Sequence, residues 1–119
     1  MDADATYAHR ISKEDAAIDW TRSAEAIHNQ VRGLHPWPHA ETFADGQRLI
    51  IHRSAWSDEP SPLPPGTVIA ADGDTLSIAT GSGRLQVLVI QAEGKRPMTP
   101  REFLAGRKLP AGIRLSARS

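Results

Sequence analysis

Cysteine is absent from the 119 residues, which excludes a disulfide framework, a thiolate zinc site and a cysteine nucleophile. The absence accords with a reducing compartment. Aromatic residues are scarce: three Trp, two Phe and one Tyr. Proteins that hold single strands by stacking bases need aromatic rings interleaved with their cations. No run reaches the roughly 18 consecutive apolar residues of a membrane span. The start, Met1-Asp2-Ala3-Asp4, lacks the basic-then-apolar pattern of a secretory signal, so a cytoplasmic location is expected. Net charge is missing too, with 14 Lys and Arg against 14 Asp and Glu. The length fits one domain.

The zero net charge hides an uneven distribution. Residues 1–74 hold six basic residues (Arg10, Lys13, Arg22, Arg32, Arg48, Arg53) and twelve acidic ones, a balance of −6. Residues 75–119 hold eight basic residues (Arg84, Lys95, Arg96, Arg101, Arg107, Lys108, Arg114, Arg118) against Glu93 and Glu102, a balance of +6. Such asymmetry suits a basic face offered to an anionic partner, or two halves that neutralise each other within the fold.

Residues 1–13 carry no apolar period and read as a linker or approach segment, leaving 14–119 for the domain. Over residues 21–34, Ala24, Ile27, Val31 and Leu34 recur at helical spacing, with Thr21 or Ser23 as the cap. Gly33 supplies a stop, and Pro36 and Pro38 forbid continuation. The period then switches to two. Residues 40–43 and 47–56 flank Asp45-Gly46, a dipeptide suited to a tight hairpin turn. A proline-rich loop covers 58–66, two short strands span 67–71 and 75–80, and a further strand covers 84–91. That last strand is apolar on both faces and is expected to be covered on both. Thr99-Pro100-Arg101-Glu102 combines a hydroxyl cap, proline at the first helical position and glutamate at the third, a capping box that predicts a short helix to about Gly106 burying Phe103 and Leu104. Ile113 and Leu115 can add one more strand. Helix, about five short strands and a short helix predict a mainly β fold, a small, partly open barrel.

Motifs for chemistry are missing. His35 and His39 are four apart but separated by Pro36 and Pro38, so they cannot share a helix face as a zinc-binding pair does. His28 falls in the first helix and His52 in a strand, without acidic partners at ligand spacing, and no metal is assigned. Gly-x-Ser-x-Gly and the phosphate-binding GxxxxGK[ST] loop do not occur. No catalytic residue is expected in this chain.

What remains is the basic stretch 94–109. Lys95 and Arg96 stand before the second helix, Arg101 lies in its first turn, and Arg107 and Lys108 follow its end. The helix dipole favours cations at a C-terminus and disfavours them at an N-terminus, so it accounts for Arg107 and Lys108 only. Phosphate contact accounts for all five, because cations meeting the backbone dominate nucleic-acid affinity. With Phe103 the sole aromatic nearby, shape and phosphate recognition of folded RNA fits better than base stacking.

Several runs resemble the C-terminal region of methionyl-tRNA formyltransferases. They are residues 7–20 (YAHRISKEDAAIDW), 26–38 (AIHNQVRGLHPWP), 65–68 (PGTV), 79–81 (ATG), 91–98 (QAEGKRPM), 103–107 (FLAGR) and 110–115 (PAGIRL), in order. The resemblance implies an open, OB-like barrel that helps hold the initiator tRNA. A separate N-terminal domain of such enzymes formylates the methionine from 10-formyltetrahydrofolate. That domain's folate-binding Ser-Leu-Leu-Pro motif and Asn/His/Asp set are not present; the one asparagine, Asn29, lies in the first helix. The chain then corresponds to an excised domain or a truncated product, with no cofactor of its own, no membrane partner, and the catalytic domain and tRNA as its partners. Arg10, Lys13, Lys95, Arg96, Arg101, Arg107 and Lys108 are the expected tRNA-binding residues, with Arg32 and Arg114 secondary. Trp37, between prolines, is read as a packing plug. The alternative is a scaffold domain of another formyltransferase-type enzyme that binds no RNA, its cations paired with its own acids.

Overall fold

A computed structural model describes residues 16–35, 38–106 and 109–116. The order is α1 (Ala24–Gly33), β1 (Ala40–Ala44), β2 (Gln47–Ser57), β3 (Val68–Asp72), β4 (Thr75–Ala79), β5 (Arg84–Ala92) and α2 (Pro100–Gly106). The fold is therefore mainly β with one helix near each end, as expected. Ser23 is the cap of α1 and its hydroxyl accepts from the Ala26 N–H at 3.1 Å. Asp45 (φ 51°) and Gly46 (φ 79°) make the predicted turn, both in the left-handed region that a two-residue hairpin of this twist requires.

All five strands form one antiparallel sheet in the order β1-β2-β5-β4-β3. The long strand β2 pairs on both sides, and its register against β5 shifts between Ile51 and Ser54, a bulge that bends the sheet. The core lies inside this curl, where Ile18, Ile27, Leu49, Leu76 and Leu85 are each fully buried. α1 packs on β2 and β5, and α2 packs on β5, β4 and β3. Along β5 the buried residues are Leu85, Val87 and Ile90, with Leu88 and Val89 half-buried and Gln86 exposed. Both helices pack on this strand, but Gln86 is exposed, so the expected coverage of both faces holds for only part of its length. In α2, Phe103 is buried with Pro100, whereas Leu104 is only half-buried, which corrects the expected burial of that pair.

Strand order leaves β1 and β3 as edges, and the C-terminal tail spans the gap. The Val68 N–H donates to the Ile113 carbonyl, the Gly112 N–H to that of Val68, and the Leu115 N–H to that of Gly66, each at 2.8 Å. The next residue, Ser116, exchanges backbone bonds with Phe43 of β1 at 2.8 and 2.9 Å. The other half of β1's free edge is taken by the incoming N-terminal segment, whose Ile18 N–H donates to the Glu41 carbonyl. A side-chain chain ties all three together: buried Trp20 Nε1–H donates to Thr42 Oγ1 (2.9 Å), which donates to the Ser116 carbonyl (2.8 Å). Among the described residues no helix is long and apolar enough to cross a membrane.

Gly81 marks a second closure point. Its N–H lies 2.9 Å from the carbonyls of both Trp20 and Arg22, and a Cβ there would sit 1.8 Å from the Thr21 carbonyl oxygen. Gly81→Ala is expected to cost about 2 kcal/mol or more, because backbone rather than a pliable side chain must move; urea unfolding measures it. Removing residues 112–119 strips hydrogen bonds from both edges at once and removes buried Leu115. The shortened chain is expected to melt well below the intact one and to self-associate through its exposed edges, read by thermal melting and size-exclusion chromatography.

Candidate nucleic-acid interface

The basic stretch surrounds α2. β5 ends at Ala92, and a turn through Gly94 (φ 81°) brings the Lys95 N–H onto the Ala92 carbonyl at 2.9 Å. Gln91 Nε2 donates to the Lys95 carbonyl at 2.7 Å, holding this turn in place. The chain then returns antiparallel at Met98, which exchanges backbone bonds with Ile90 at 2.8 and 2.9 Å. The capping box forms in full: the Glu102 N–H donates to Thr99 Oγ1 (3.3 Å) and the Thr99 N–H to Glu102 Oε1 (3.1 Å). Between the Asp45-Gly46 hairpin, the end of β5 and α2 lies an open groove of about 630 Å³. Arg48, Glu93, Lys95, Met98, Glu102 and Phe103 are among its walls.

The sequence-predicted cations differ in how they are engaged. Lys95 is exposed at the groove and forms no ion pair among the described residues. Arg96 pairs with Glu102 at 3.3 Å. Arg101 grips Asp74 with two nitrogens, Nε to Oδ1 at 2.8 Å and Nη2 to Oδ2 at 3.0 Å. Arg32 lies exposed in the last turn of α1, and Arg114 lies exposed on the tail opposite Thr67, on other parts of the molecule. Arg10, Lys13, Arg107, Lys108 and Trp37 fall outside the described residues. The structure thus brings Lys95, Arg96 and Arg101 to one end of the molecule, two of them already facing acids.

Those acids respond as expected. The Arg101 hydrogen bonds hold Asp74 below the usual carboxylate range, and the Thr99 N–H, followed by Arg96, does the same for Glu102. Exposure limits what these pairs contribute: Asp74 and Arg101 are each 69% exposed, and such surface pairs are typically worth about 0–1 kcal/mol. An incoming phosphate can therefore compete for Arg96 and Arg101 at small cost. Two described ion pairs, Arg84–Glu59 and Arg101–Asp74, link the basic half of the chain to the acidic half. Part of the charge asymmetry is neutralised inside the fold.

Sequence spacing misses one further grouping. His35, His39 and His52 each offer a ring nitrogen, and these nitrogens lie within 4.8 Å of one another. The prolines do keep His35 and His39 off a common helix face, yet their rings stand 5.1 Å apart, and those of His39 and His52 only 4.2 Å. Burial, then the neighbouring His52 and His35, holds the His39 pKa below the ordinary histidine value. A signal was available in the hairpin. A two-residue turn at Asp45-Gly46 pairs Ala40 with Ile51, so the next position of the same register sets His39 opposite His52.

Comparison with known proteins agrees with this architecture. Residues 10–108 match the model of the formyl transferase C-terminal domain. Methionyl-tRNA formyltransferase of Cereibacter sphaeroides is 44% identical over 113 residues, covering 95% of this chain and 35% of that protein. The enzymes of that name from Sorangium cellulosum (40% over 112 residues) and Syntrophomonas wolfei (41% over 117) cover 92% and 98% of this chain. The chain spans about a third of the length of these relatives. Among solved structures, HypX from Aquifex aeolicus in complex with tetrahydrofolic acid superposes with a TM-score of 0.68 over 80% of this chain and 17% of its own, at 16% identity, a likeness of fold alone. With most of its length matched to one domain model and its strands and helices in the expected order, the chain belongs to the formyl transferase C-terminal domain family.

Proposed function

We propose that this domain helps hold tRNA, specifically the initiator methionyl-tRNA, for formylation by a separate catalytic domain. The 44% identity to a methionyl-tRNA formyltransferase over 95% of the chain carries this reading. Physical support comes from the α2 end of the molecule. Lys95 stands exposed without an ion partner among the described residues, and Arg96 and Arg101 sit in exchangeable surface pairs. Arg107 and Lys108 directly follow Gly106 of the groove wall in sequence, and Arg10 and Lys13 add cations on the approach segment. Contacts of this kind grip phosphates and position a nucleic acid, while specificity rests on base edges that this surface is poorly equipped to read. Binding by the domain alone is expected to be weak and indifferent to sequence.

The family's donor, 10-formyltetrahydrofolate, is assigned no site among the described residues. No chemical step is assigned to these residues. Folate binding and formyl transfer are assigned to the rest of a longer enzyme.

A second reading, a scaffold that binds no RNA, draws support from the Arg96–Glu102 and Arg101–Asp74 pairs. Charge reversal separates the two. Lys95→Glu with Arg96→Glu is expected to weaken tRNA binding about tenfold at low salt. The slope of log affinity against log salt should fall by about 1.5, since each phosphate contact contributes roughly 0.7–0.9. Fluorescence titration of labelled tRNA at two salt concentrations measures both. Asp74→Asn frees Arg101 and is expected to strengthen binding. Unchanged affinity in both variants, with altered stability, favours the scaffold.

A further inference from the structure

We infer that His35, His39 and His52 form a binding site for a borderline divalent transition-metal ion of the Zn²⁺ class, independent of any contact with tRNA. Three observations converge on it.

The first is placement. His39 immediately precedes β1 and His52 continues β2 one residue beyond the Ala40–Ile51 pair, so the hairpin register itself sets them opposite each other. His35 follows the end of α1, and the three ring nitrogens lie within 4.8 Å of one another. Tetrahedral zinc with bonds of about 2.0–2.1 Å needs nitrogens about 3.4 Å apart. His35 is exposed and the other two half-buried, so small ring rotations close that difference without moving core atoms.

The second is protonation. Gln91 Nε2 donates to the Lys95 carbonyl, which orients the amide so that its Oε1 faces His52 Nε2 at 2.7 Å. An amide oxygen only accepts, so His52 Nε2 carries the proton and Nδ1 carries the lone pair. A ligating imidazole whose other N–H is held by an amide or carboxylate oxygen is the usual arrangement around a metal.

The third is an orphaned atom. His39 Nδ1 is buried and has no hydrogen-bond partner among the described residues. The backbone at His39 holds φ at +71°, a conformation uncommon for a residue with a side chain, and so keeps the ring between its two neighbours, 5.1 Å from His35 and 4.2 Å from His52. Three imidazoles without a carboxylate favour zinc, nickel or copper over magnesium or calcium. An exposed His35 leaves room for water as a fourth ligand.

The metal-free 119-residue chain titrated with Zn²⁺ against a chromophoric chelator tests this. One equivalent is expected to bind, with affinity lowered at least tenfold in His39→Asn and in His52→Gln and unchanged in His28→Asn. His35→Asn guards against misfolding, because that side chain is exposed; it should keep the wild-type circular dichroism spectrum and melting temperature without metal, yet lose at least tenfold in affinity. Co²⁺ in place of Zn²⁺ should give visible absorption bands that the same three variants abolish. Failure of the wild-type chain to saturate at one equivalent, or wild-type affinity in His35→Asn, His39→Asn and His52→Gln together, overturns the inference.

Discussion

Everything in this domain depends on how the two free edges of its sheet are satisfied. A five-stranded sheet in the order β1-β2-β5-β4-β3 exposes a row of backbone donors and acceptors along β1 and along β3. Here segments flanking the sheet engage each row, β1 along much of its length and β3 at its first residue. The N-terminal segment covers β1 at Glu41, and the tail covers β1 at Phe43 and β3 at Val68. Trp20, Thr42 and Ser116 join these closures through buried hydrogen bonds. The core residues Ile18 and Leu115 are carried in on the same segments, so hydrophobic burial and edge protection are one event.

This closure places the candidate interface. Segments around Ile18 and 112–116 complete the sheet, and among the described residues the surface around α2 and the Asp45-Gly46 hairpin forms an open groove. α2 is short, and it is held by burying Pro100 and Phe103 and by its capping box rather than by length. The same capping glutamate engages Arg96, so one carboxylate serves helix start and surface charge together. Exposed pairs of this type keep the cations ordered without binding them strongly. A surface so arranged suits a partner that supplies many phosphates at once.

Much of this was legible in the sequence. Hydrophobic periods located α1 and the strands, Asp45-Gly46 located the hairpin, and Thr99-Pro100-Arg101-Glu102 located α2. These are short-range effects, decided by backbone preferences within a few residues. The basic stretch was visible for the same reason, since it is contiguous. Its pairing was not: Asp74 reaches Arg101 across 27 positions, from a turn that nothing near Arg101 foretells.

The sequence by itself determined the element order, the turns, the caps and the balance of −6 against +6. Tertiary structure alone decided which edges the flanking segments cover, which arginines are engaged, and that His35 joins the His39–His52 pair set by the hairpin register. The reason is physical. Local structure follows from steric and hydrogen-bonding choices made within a turn or two of chain. Edge closure, ion pairing and histidine convergence depend on distances set only when the sheet curls at the Ile51–Ser54 bulge and its ends are tied together.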